Sequence, residues 1–288
     1  MDDEATAGDK AAVRPAAASR RAPKAAKATT AARPAKAPEA LESLERQLAV
    51  LAVFDAAHPS LTLSEVAALT NTTRPTARRI LLTLKSLGYV RADGRQFSLT
   101  PKVLNFGWSF FASLNLEEAV QPVLNDLRTA IDESCSVGLL DGRDIVYIAR
   151  AFTRRITTIR GRIGSRLPAH ATAMGHALLA HLDDGELDAW LAEEPLQEYT
   201  ERTLTDPAHL RRELMETRRQ GWALVDGELE TGLRAIAAPI AGADGRVVAA
   251  VSVSTISART MISDLRKHVP ALLETAEALS PVFRLNDD

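Results

Sequence analysis

Apolar residues recur at intervals of three and four positions between residues 41 and 54. This spacing places them on one face of an amphipathic helix. The residues on this face are Leu41, Leu44, Leu48, Leu51 and Phe54. The pattern predicts a helix of about four turns, which ends before His58-Pro59.

A second, short helix is predicted after an extended piece at 61–63. Ser64 is its expected N-cap, because a serine hydroxyl can accept a hydrogen bond from a free N–H of the first turn. The helix is expected to run to about Thr70, and the turn Asn71-Thr72-Thr73 follows it.

A third helix is predicted over 73–87. Thr73 is its expected cap, and Pro75 falls in the first turn, where a missing N–H is tolerated. Gly88 ends the helix, since glycine readily adopts the left-handed closing conformation. Two short strands at 89–91 and 96–99 then flank an Asp-Gly turn, which predicts a β-hairpin.

This order of elements is that of a winged helix-turn-helix, whose third helix enters the DNA major groove. Its inward face would carry Ala77, Ile80, Leu81, Leu84 and Leu87. The candidate DNA-binding residues are Thr72, Thr73, Arg74, Thr76, Arg78 and Arg79, with Arg95 at the hairpin tip. Arginine can bind guanine with two hydrogen bonds, and threonine suits phosphates or bases. The alternative is that Arg78 and Arg79 form only a solvated basic face.

A linker helix is predicted from Pro101 to about residue 114. It is rich in aromatic residues: Phe106, Trp108, Phe110 and Phe111. Such rings are expected to be buried against the following domain or a second subunit, and we favour a dimer interface.

Residues 116–285 alternate between helical and strand patterns. Helices are predicted at 116–132, 172–182, 184–192, 207–220 and 259–279. Strands are predicted at 134–140, 145–150, 222–225, 234–239 and 247–254, with an extended basic stretch at 153–163. The pattern indicates an α+β domain with a mainly antiparallel sheet and helices packed on it.

Two features of this region could form a site for a small acid. Alternation along the last strand places Ser252 and Ser254 on one face. They could bind a polar ligand or lie at a solvent-facing strand end. Five arginines precede a helix expected to begin near Thr172, where free N–H groups would favour an anion. They are Arg154, Arg155, Arg160, Arg162 and Arg166. The alternative is that these arginines lie on the surface.

Composition and charge narrow the functional classes. The chain has 288 residues, 46% hydrophobic and 25% charged, which is typical of one or two globular domains. No run suits a membrane span, and the first residues do not resemble a secretory signal, so we expect a cytoplasmic protein without a membrane partner. The first 100 residues hold 15 lysines and arginines against 10 acidic residues, whereas the remainder is acidic. Any polyanion should therefore bind the N-terminal part.

Residues 1–38 are expected to be a disordered tail, because alanine, proline and lysine predominate without apolar periodicity. Eight basic residues and no acidic one lie between Lys10 and Lys36. The tail could be a sequence-indifferent DNA arm or a solvated leader.

Signs of catalysis are weak. The common nucleophile, phosphate-loop, dinucleotide and zinc motifs are missing. His170, His176 and His181 have no metal-binding spacing, Cys135 is expected in the core, and Asp183-Asp184 is expected to begin a helix. We predict no catalytic residue, metal or cofactor. Two alternatives remain open: an enzyme acting on a small carboxylic acid, and a protein-binding module.

The segment 41–104 resembles the winged helix-turn-helix of the IclR-type bacterial transcription regulators. The segments SCSVGLLDGRDIVYIAR, RIGSRLPAHATAMGHALLA and GWALVDGELETGLRAIAAPIAGADGRVVAAVSVS resemble the effector-binding domain of that family. The resemblance covers about residues 40–285 and is strongest to the Pca/Pob branch, which controls catabolism of aromatic acids.

The residue patterns and the resemblance together predict four parts: a tail (1–38), which the resemblance does not cover, a DNA-binding domain (39–100), a linker helix (101–115) and an effector-binding domain (116–288) that the resemblance implies is GAF-like. It also implies a homodimer or dimer of dimers on pseudo-palindromic double-stranded operators, controlled by a small organic acid, such as an aromatic acid or a β-ketoadipate-pathway intermediate. The effector-binding residues implied by the resemblance are His170, Ala171, Thr172, Ala173, Met174, Asp226, Ala235, Ser252 and Ser254. Arg160, from the arginine cluster before the helix, is added to this predicted site. Ala235 departs from the polar or thiol residue of other members.

Overall fold

The computed structural model describes residues 42–55, 57–107, 116–153, 162–242 and 244–284. Several predictions fall outside the described residues. They concern the tail 1–38, Leu41, the linker rings Trp108, Phe110 and Phe111, and three arginines, Arg154, Arg155 and Arg160.

The N-terminal part folds as the predicted winged helix-turn-helix. Its elements are α1 (Glu42–Ala52), β1 (Leu61–Thr62), α2 (Leu63–Leu69), α3 (Arg74–Ser86), β2 (Val90–Asp93) and β3 (Gln96–Leu99). The three strands form an antiparallel sheet in the order β1-β3-β2. Thr73 caps α3 as predicted, and its hydroxyl accepts a hydrogen bond from the Thr76 N–H. Gly88 has a φ of +81°, in agreement with its predicted role.

The apolar stripe predicted for α1 is wrong in its first half. Leu44 and Leu48 are 51% and 57% exposed, whereas Val50 and Phe54 are buried. The reason is that the buried face of α1 contains Val50, which is not on the predicted stripe, whereas Leu51 of the stripe is only half-buried. Leu87, predicted to face inward, is also exposed, because it lies at the cap position where α3 ends.

The cap predicted for α2 is also wrong. Thr62, not Ser64, precedes the helix, and its hydroxyl accepts a hydrogen bond from the Glu65 N–H. The Glu65 carboxylate in turn accepts one from the Thr62 N–H at 2.7 Å. A reciprocal capping box requires Ser or Thr followed three positions later by Glu or Gln. Thr62 and Glu65 satisfy this spacing, whereas Ser64 is followed three positions later by Ala67.

The linker segment does not begin as the α-helix that was predicted from Pro101. Pro101–Val103 is a 3-10 turn, and residues 104–107 are helical where the description stops.

The C-terminal part has the predicted α+β class. Its helices are a π-helical turn (Leu116–Val120), α4 (Gln121–Ile131), a 3-10 turn (Ala169–Ala171), α5 (Ala173–Leu179), α6 (Asp184–Glu193), α7 (Pro207–Gln220), α8 (Ile262–Arg266) and α9 (Val269–Arg284). Its strands are β4 (Ser134–Asp141), β5 (Asp144–Ala151), β6 (Arg166–Pro168), β7 (Ala223–Asp226), β8 (Leu233–Ala241) and β9 (Val247–Ile256). They form one antiparallel sheet in the order β6-β5-β4-β9-β8-β7.

The single helix predicted at 259–279 is two helices, α8 and α9. Pro270 has no N–H to continue a preceding helix, but it fits the first turn of a new one. The interruption therefore falls at Lys267 and His268.

The two faces of the large sheet pack against different helices. Val251 and Val253 on β9 share one core with Leu124 of α4 and Leu272 of α9. Ala250 lies in a second core with α5, so the predicted alternation of β9 is confirmed from Ala249 onward. The first two residues are reversed, because Val247 packs against the core that contains α5 and Val248 against the other core. Ser252 and Ser254 consequently share the side that α5 covers, which we call the α5 face.

Candidate functional site

The exposed side of α3 carries three arginines that are free to bind an anion. Arg74, Arg78 and Arg79 are exposed, and no hydrogen bond or ion pair to another described residue engages their side chains. Arg95 is likewise exposed and follows Gly94 in the β2–β3 turn. These four cations form a basic surface around α3 and the hairpin tip.

The threonines at the start of α3 have a structural use. Thr72 and Thr70 share a hydroxyl hydrogen bond of 2.9 Å, and the Thr73 and Thr76 hydroxyls share another of the same length. These bonds set the turn between α2 and α3, so they orient the helix that carries the arginines.

Small and hydroxylated residues line neighbouring strands of the α5 face. Ser252 lies in register with Ser136 on β4 and Ala237 on β8. Ser254 lies in register with Ser134 on β4 and Ala235 on β8. Ser252 is buried and Ser254 is half-buried, so the solvent-facing alternative for this serine pair does not apply.

Arg150 is a charged residue on this face that the sequence analysis did not identify. Its Nε donates a hydrogen bond to Ser136 Oγ at 3.0 Å. Its guanidinium carbon lies 4.1 Å from the ring centre of Tyr147 and 4.5 Å from that of Phe152. The residue is only 6% exposed, and both Nη1 and Nη2 are buried without a hydrogen-bond partner among the residues that the structure describes.

Burial lowers the pKa of Arg150, but a guanidinium stays protonated in proteins. A buried cation with unused donors is costly unless an anion accepts them. Two parallel N–H groups match the two oxygens of a carboxylate. The α5 face therefore presents the chemistry of a carboxylate-binding site.

The start of α5 packs closely on the sheet and on the preceding turn. A Cβ on Gly138 would lie 3.2 Å from the Met174 sulfur, and a Cβ on Gly175 only 1.9 Å from the Ala169 carbonyl oxygen. Glycine is therefore required at position 175. Thr172 caps the helix by accepting from the Gly175 N–H, so one of the free N–H groups expected there is already bonded.

The other predicted residues around α5 have protein partners. His170 lies with its Nε2 2.9 Å from the Gln197 carbonyl oxygen, and its ring is 5.8 Å from that of Tyr199. Ala171 and Ala173 are buried. Burial lowers the pKa of His170, which favours its neutral form.

Two predicted charged residues are held in ion pairs. Asp226 accepts hydrogen bonds from Arg234 at 2.6 Å and from Arg202 at 2.5 Å, and these arginines lower the pKa of its carboxyl group. Arg166 binds Asp141 and Asp144 at the β4–β5 turn, so it fits the surface alternative.

A second buried polar pair lies at α5. His176 Nε2 is 2.8 Å from the His170 carbonyl oxygen and 3.8 Å from Glu228 Oε2. Burial lowers the pKa of His176 to about 4 and, aided by the nearby Glu213, raises the pKa of Glu228 to about 8. Both groups are therefore uncharged at pH 7.

Other residues considered for catalysis have structural positions. Cys135 is fully buried, and burial raises the pKa of its thiol to about 12, so it is a core residue as predicted. Asp183 caps α6, as its helix-starting pattern predicted. Among the described residues, no cluster of His, Cys, Asp or Glu could hold a metal ion, and no helix is long and apolar enough to cross a membrane.

Comparison with known proteins agrees with both halves of the fold. Residues 43–94 match the IclR helix-turn-helix domain, and residues 109–281 match the bacterial transcriptional regulator IclR C-terminal domain. The chain is 41% identical over 241 residues to the Pca regulon regulatory protein of Pseudomonas putida, which covers 83% of each chain.

Two solved structures are similar as well. A transcriptional regulator from Rhodococcus sp. RHA1 is 48% identical, with a TM-score of 0.74 over 85% of this chain and 98% of that one. A double mutant of the PobR inducer-binding domain from Acinetobacter, in complex with 3-hydroxybenzoic acid, is 31% identical, with a TM-score of 0.53 over 59% and 98%.

These relatives are named as regulators of transcription, and the chain is a regulator rather than an enzyme. With both family domains present in the expected order, the chain belongs to the IclR family of bacterial transcriptional regulators.

Proposed function

We propose that a small organic acid controls operator binding by this regulator and that Arg150 binds its carboxylate. The observation that carries the proposal is the buried Arg150 guanidinium beside Ser136, two of whose nitrogens have no hydrogen-bond partner in the described part of the chain. Ser252 lies in register with Ser136 and supplies a further hydroxyl on the same face. This adds Arg150 to the effector-binding residues implied by the resemblance.

The proposed effector is an aromatic acid or an intermediate of the β-ketoadipate pathway. The Pca regulon regulatory protein is 41% identical, and the PobR domain that is 31% identical was solved with 3-hydroxybenzoic acid. Tyr147 and Phe152 border the guanidinium, so an aromatic acid could contact rings while its carboxylate is bound.

We propose that residues 39–100 bind double-stranded DNA and residues 116–288 bind the acid. Arg74, Arg78, Arg79 and Arg95 would contact a half-site of a pseudo-palindromic operator. A homodimer or dimer of dimers would place two such surfaces one helical repeat apart. The acid can alter DNA binding only if it binds two arrangements of the domains with different affinity.

A thermal-shift experiment on the full-length protein tests the effector proposal. The panel contains protocatechuate, 4-hydroxybenzoate, 3-hydroxybenzoate and β-ketoadipate, with their methyl esters as neutral controls. An acid at 100 times its Kd should stabilise the protein by about 2.7 kcal/mol, which is roughly 5–10 °C in Tm. The esters should have little effect, because they present no charged pair of oxygens to Arg150.

Arg150→Met should abolish the shift, and Arg166→Met should retain it, because Arg166 is paired at the surface. Arg150→Met removes a buried, incompletely bonded cation and should leave the protein folded, which circular dichroism would check. An unchanged shift in folded Arg150→Met would contradict the assignment of Arg150.

A further inference from the structure

The chain that leaves the wing returns to the C-terminal end of α3. Three successive carbonyl groups follow this helix, at Leu87, Gly88 and Tyr89. The first accepts a hydrogen bond from Lys102 Nζ at 2.8 Å, and the second accepts one from Thr100 Oγ1 at 2.5 Å. The third accepts from the Thr100 N–H at 2.9 Å. Residues 100–102 thus bond to all three carbonyls after the DNA-reading helix.

Aromatic contacts strengthen the same junction. The Lys102 ammonium lies 4.8 Å from the Tyr89 ring centre. The Phe106 ring stacks on Tyr89 with centres 5.4 Å apart and an angle of 19° between the planes. We call Tyr89, Thr100, Lys102 and Phe106 the linker joint.

Tyr89 packs against the hydrophobic core of the winged domain, whereas Lys102 and Phe106 lie outside that core. Phe106 is 63% exposed and Lys102 is exposed, and exposed contacts of this kind contribute little to stability individually. Their effect is geometric, because the hydrogen bonds of Thr100 and Lys102 and the stacking of Phe106 on Tyr89 together hold residues 100–106 against the end of α3. A rotation of this segment must turn α3 or break these contacts.

We propose that the linker joint transmits motion between the linker and α3, so that Lys102 and Phe106 position the DNA-reading helix. The regulatory part of this proposal rests on the proposed function, since an effector would supply the displacement. The mechanical part rests on the contacts alone. By linkage, DNA binding at α3 must then act back on the linker segment.

Amide hydrogen exchange of the full-length protein tests the mechanical part without any effector. The DNA probe is a duplex that the wild-type protein selects from a random pool. In the wild type, duplex binding should slow exchange in residues 100–107 by about fivefold or more, the lower range of coupling between linked sites. In the double variant Lys102→Met/Phe106→Leu, this slowing should disappear.

Lys85→Met is the matched control. Lys85 lies in the last turn of α3 and is exposed, so its replacement removes the same charge without touching the linker joint. It should keep the wild-type slowing. Equal slowing in the double variant and the wild type, or none in the wild type, would overturn the proposal.

The effector arm uses the acid that gives the largest shift in the thermal panel. In the double variant, the ratio of operator Kd values with and without acid should approach 1, while the Kd for the acid is unchanged. If the double variant keeps the wild-type ratio of operator Kd values, the linker joint has no regulatory role. If no acid binds the wild type, the proposed function fails, and the exchange experiment still decides whether the linker joint couples the two elements.

Discussion

Arg150 and Glu228 are the residues whose buried side-chain atoms have no hydrogen-bond partner in the described part of the chain. They differ in charge at pH 7, because arginine remains a cation whereas burial raises the pKa of Glu228 to about 8. A neutral carboxyl group can be buried at much lower cost than a carboxylate. This difference in charge favours Arg150, rather than Glu228, as the residue that would bind the proposed anionic ligand.

Glu228 should make stability depend on pH. Its pKa rises from 4.5 to about 8 on folding, so between these values the folded state holds a proton that the unfolded chain has released. The contribution of Glu228 to the free energy of unfolding therefore falls as the pH rises from 4.5 to about 8. His176, whose pKa falls from 6.5 to about 4, has the opposite effect below pH 6.5. The free energy of unfolding should therefore show a net decline between pH 6.5 and 8, where only the effect of Glu228 remains.

Urea unfolding of Glu228→Gln between pH 6 and 8.5 checks this prediction. The variant should not show the decline, which in the wild type should approach about 1 kcal/mol per pH unit. Glu230→Gln, an exposed carboxyl change in the same loop, should behave as the wild type. The same pH slope in Glu228→Gln and wild type would show that Glu228 is ionised in the folded protein.

The importance of Arg150 could not be predicted from simple strand alternation. A β-bulge opposite Val137 and Gly138 shifts the register of β5, so that Tyr147 pairs with Gly138 and Ala149 with Val137. Tyr147 and Arg150 consequently meet, although they are three positions apart. A bulge depends on pairing with another strand, which a single sequence does not show.

Among the helices, the cap of α2 offers a direct test of local chemistry. Thr62→Ala should cost about 0.5–2 kcal/mol of unfolding free energy, because it removes the acceptor for the Glu65 N–H and the hydroxyl that donates to the Glu65 carboxylate. Ser64→Ala should have little effect, since Ser64 lies inside the helix. Denaturant unfolding measures both, and a larger destabilisation by Ser64→Ala would reverse the assignment of the cap.

At α3, Arg78→Ala should weaken specific duplex binding by about 1–3 kcal/mol, the value typical of one bidentate base contact. Its side chain is exposed and has no hydrogen bond or ion pair to another described residue, so the change should leave folding intact. Fluorescence anisotropy on the selected duplex would measure it, with Lys85→Ala as control for the removal of one positive charge. Unchanged affinity would remove Arg78 from the reading surface.

The bounds of a helix are predicted well when the residues at both of its ends are typical helix-starting and helix-ending residues. The helix α7 was predicted with its observed bounds, because Asp206 and Pro207 begin it and Gly221, with a φ of +81°, ends it. The apolar spacing of α1 shows which residues share a helix face, but not how much of that face a neighbour covers. Leu44 and Leu48 are exposed for this reason.

At the scale of the whole chain, the charge asymmetry predicts a role for the tail. Deleting residues 1–38 removes eight basic residues between Lys10 and Lys36. Affinity should fall similarly for all duplexes, and the slope of log K against log salt should flatten by about 0.9 for each phosphate that the tail no longer neutralises. Titrations of selected and scrambled duplexes at several salt concentrations would measure this, and an unaltered slope would make the tail a passive leader.

The amino-acid sequence was sufficient for the order of most elements, the winged helix-turn-helix, the α+β class and the resemblance to the IclR family. These features depend on caps, turns and alternation, whose chemistry involves residues close together in the chain. Only the folded chain revealed Arg150 beside Ser136, Glu228 beside His176, and Lys102 at the end of α3. Each contact joins separate elements, because burial and hydrogen-bond satisfaction depend on what packs against a residue after folding.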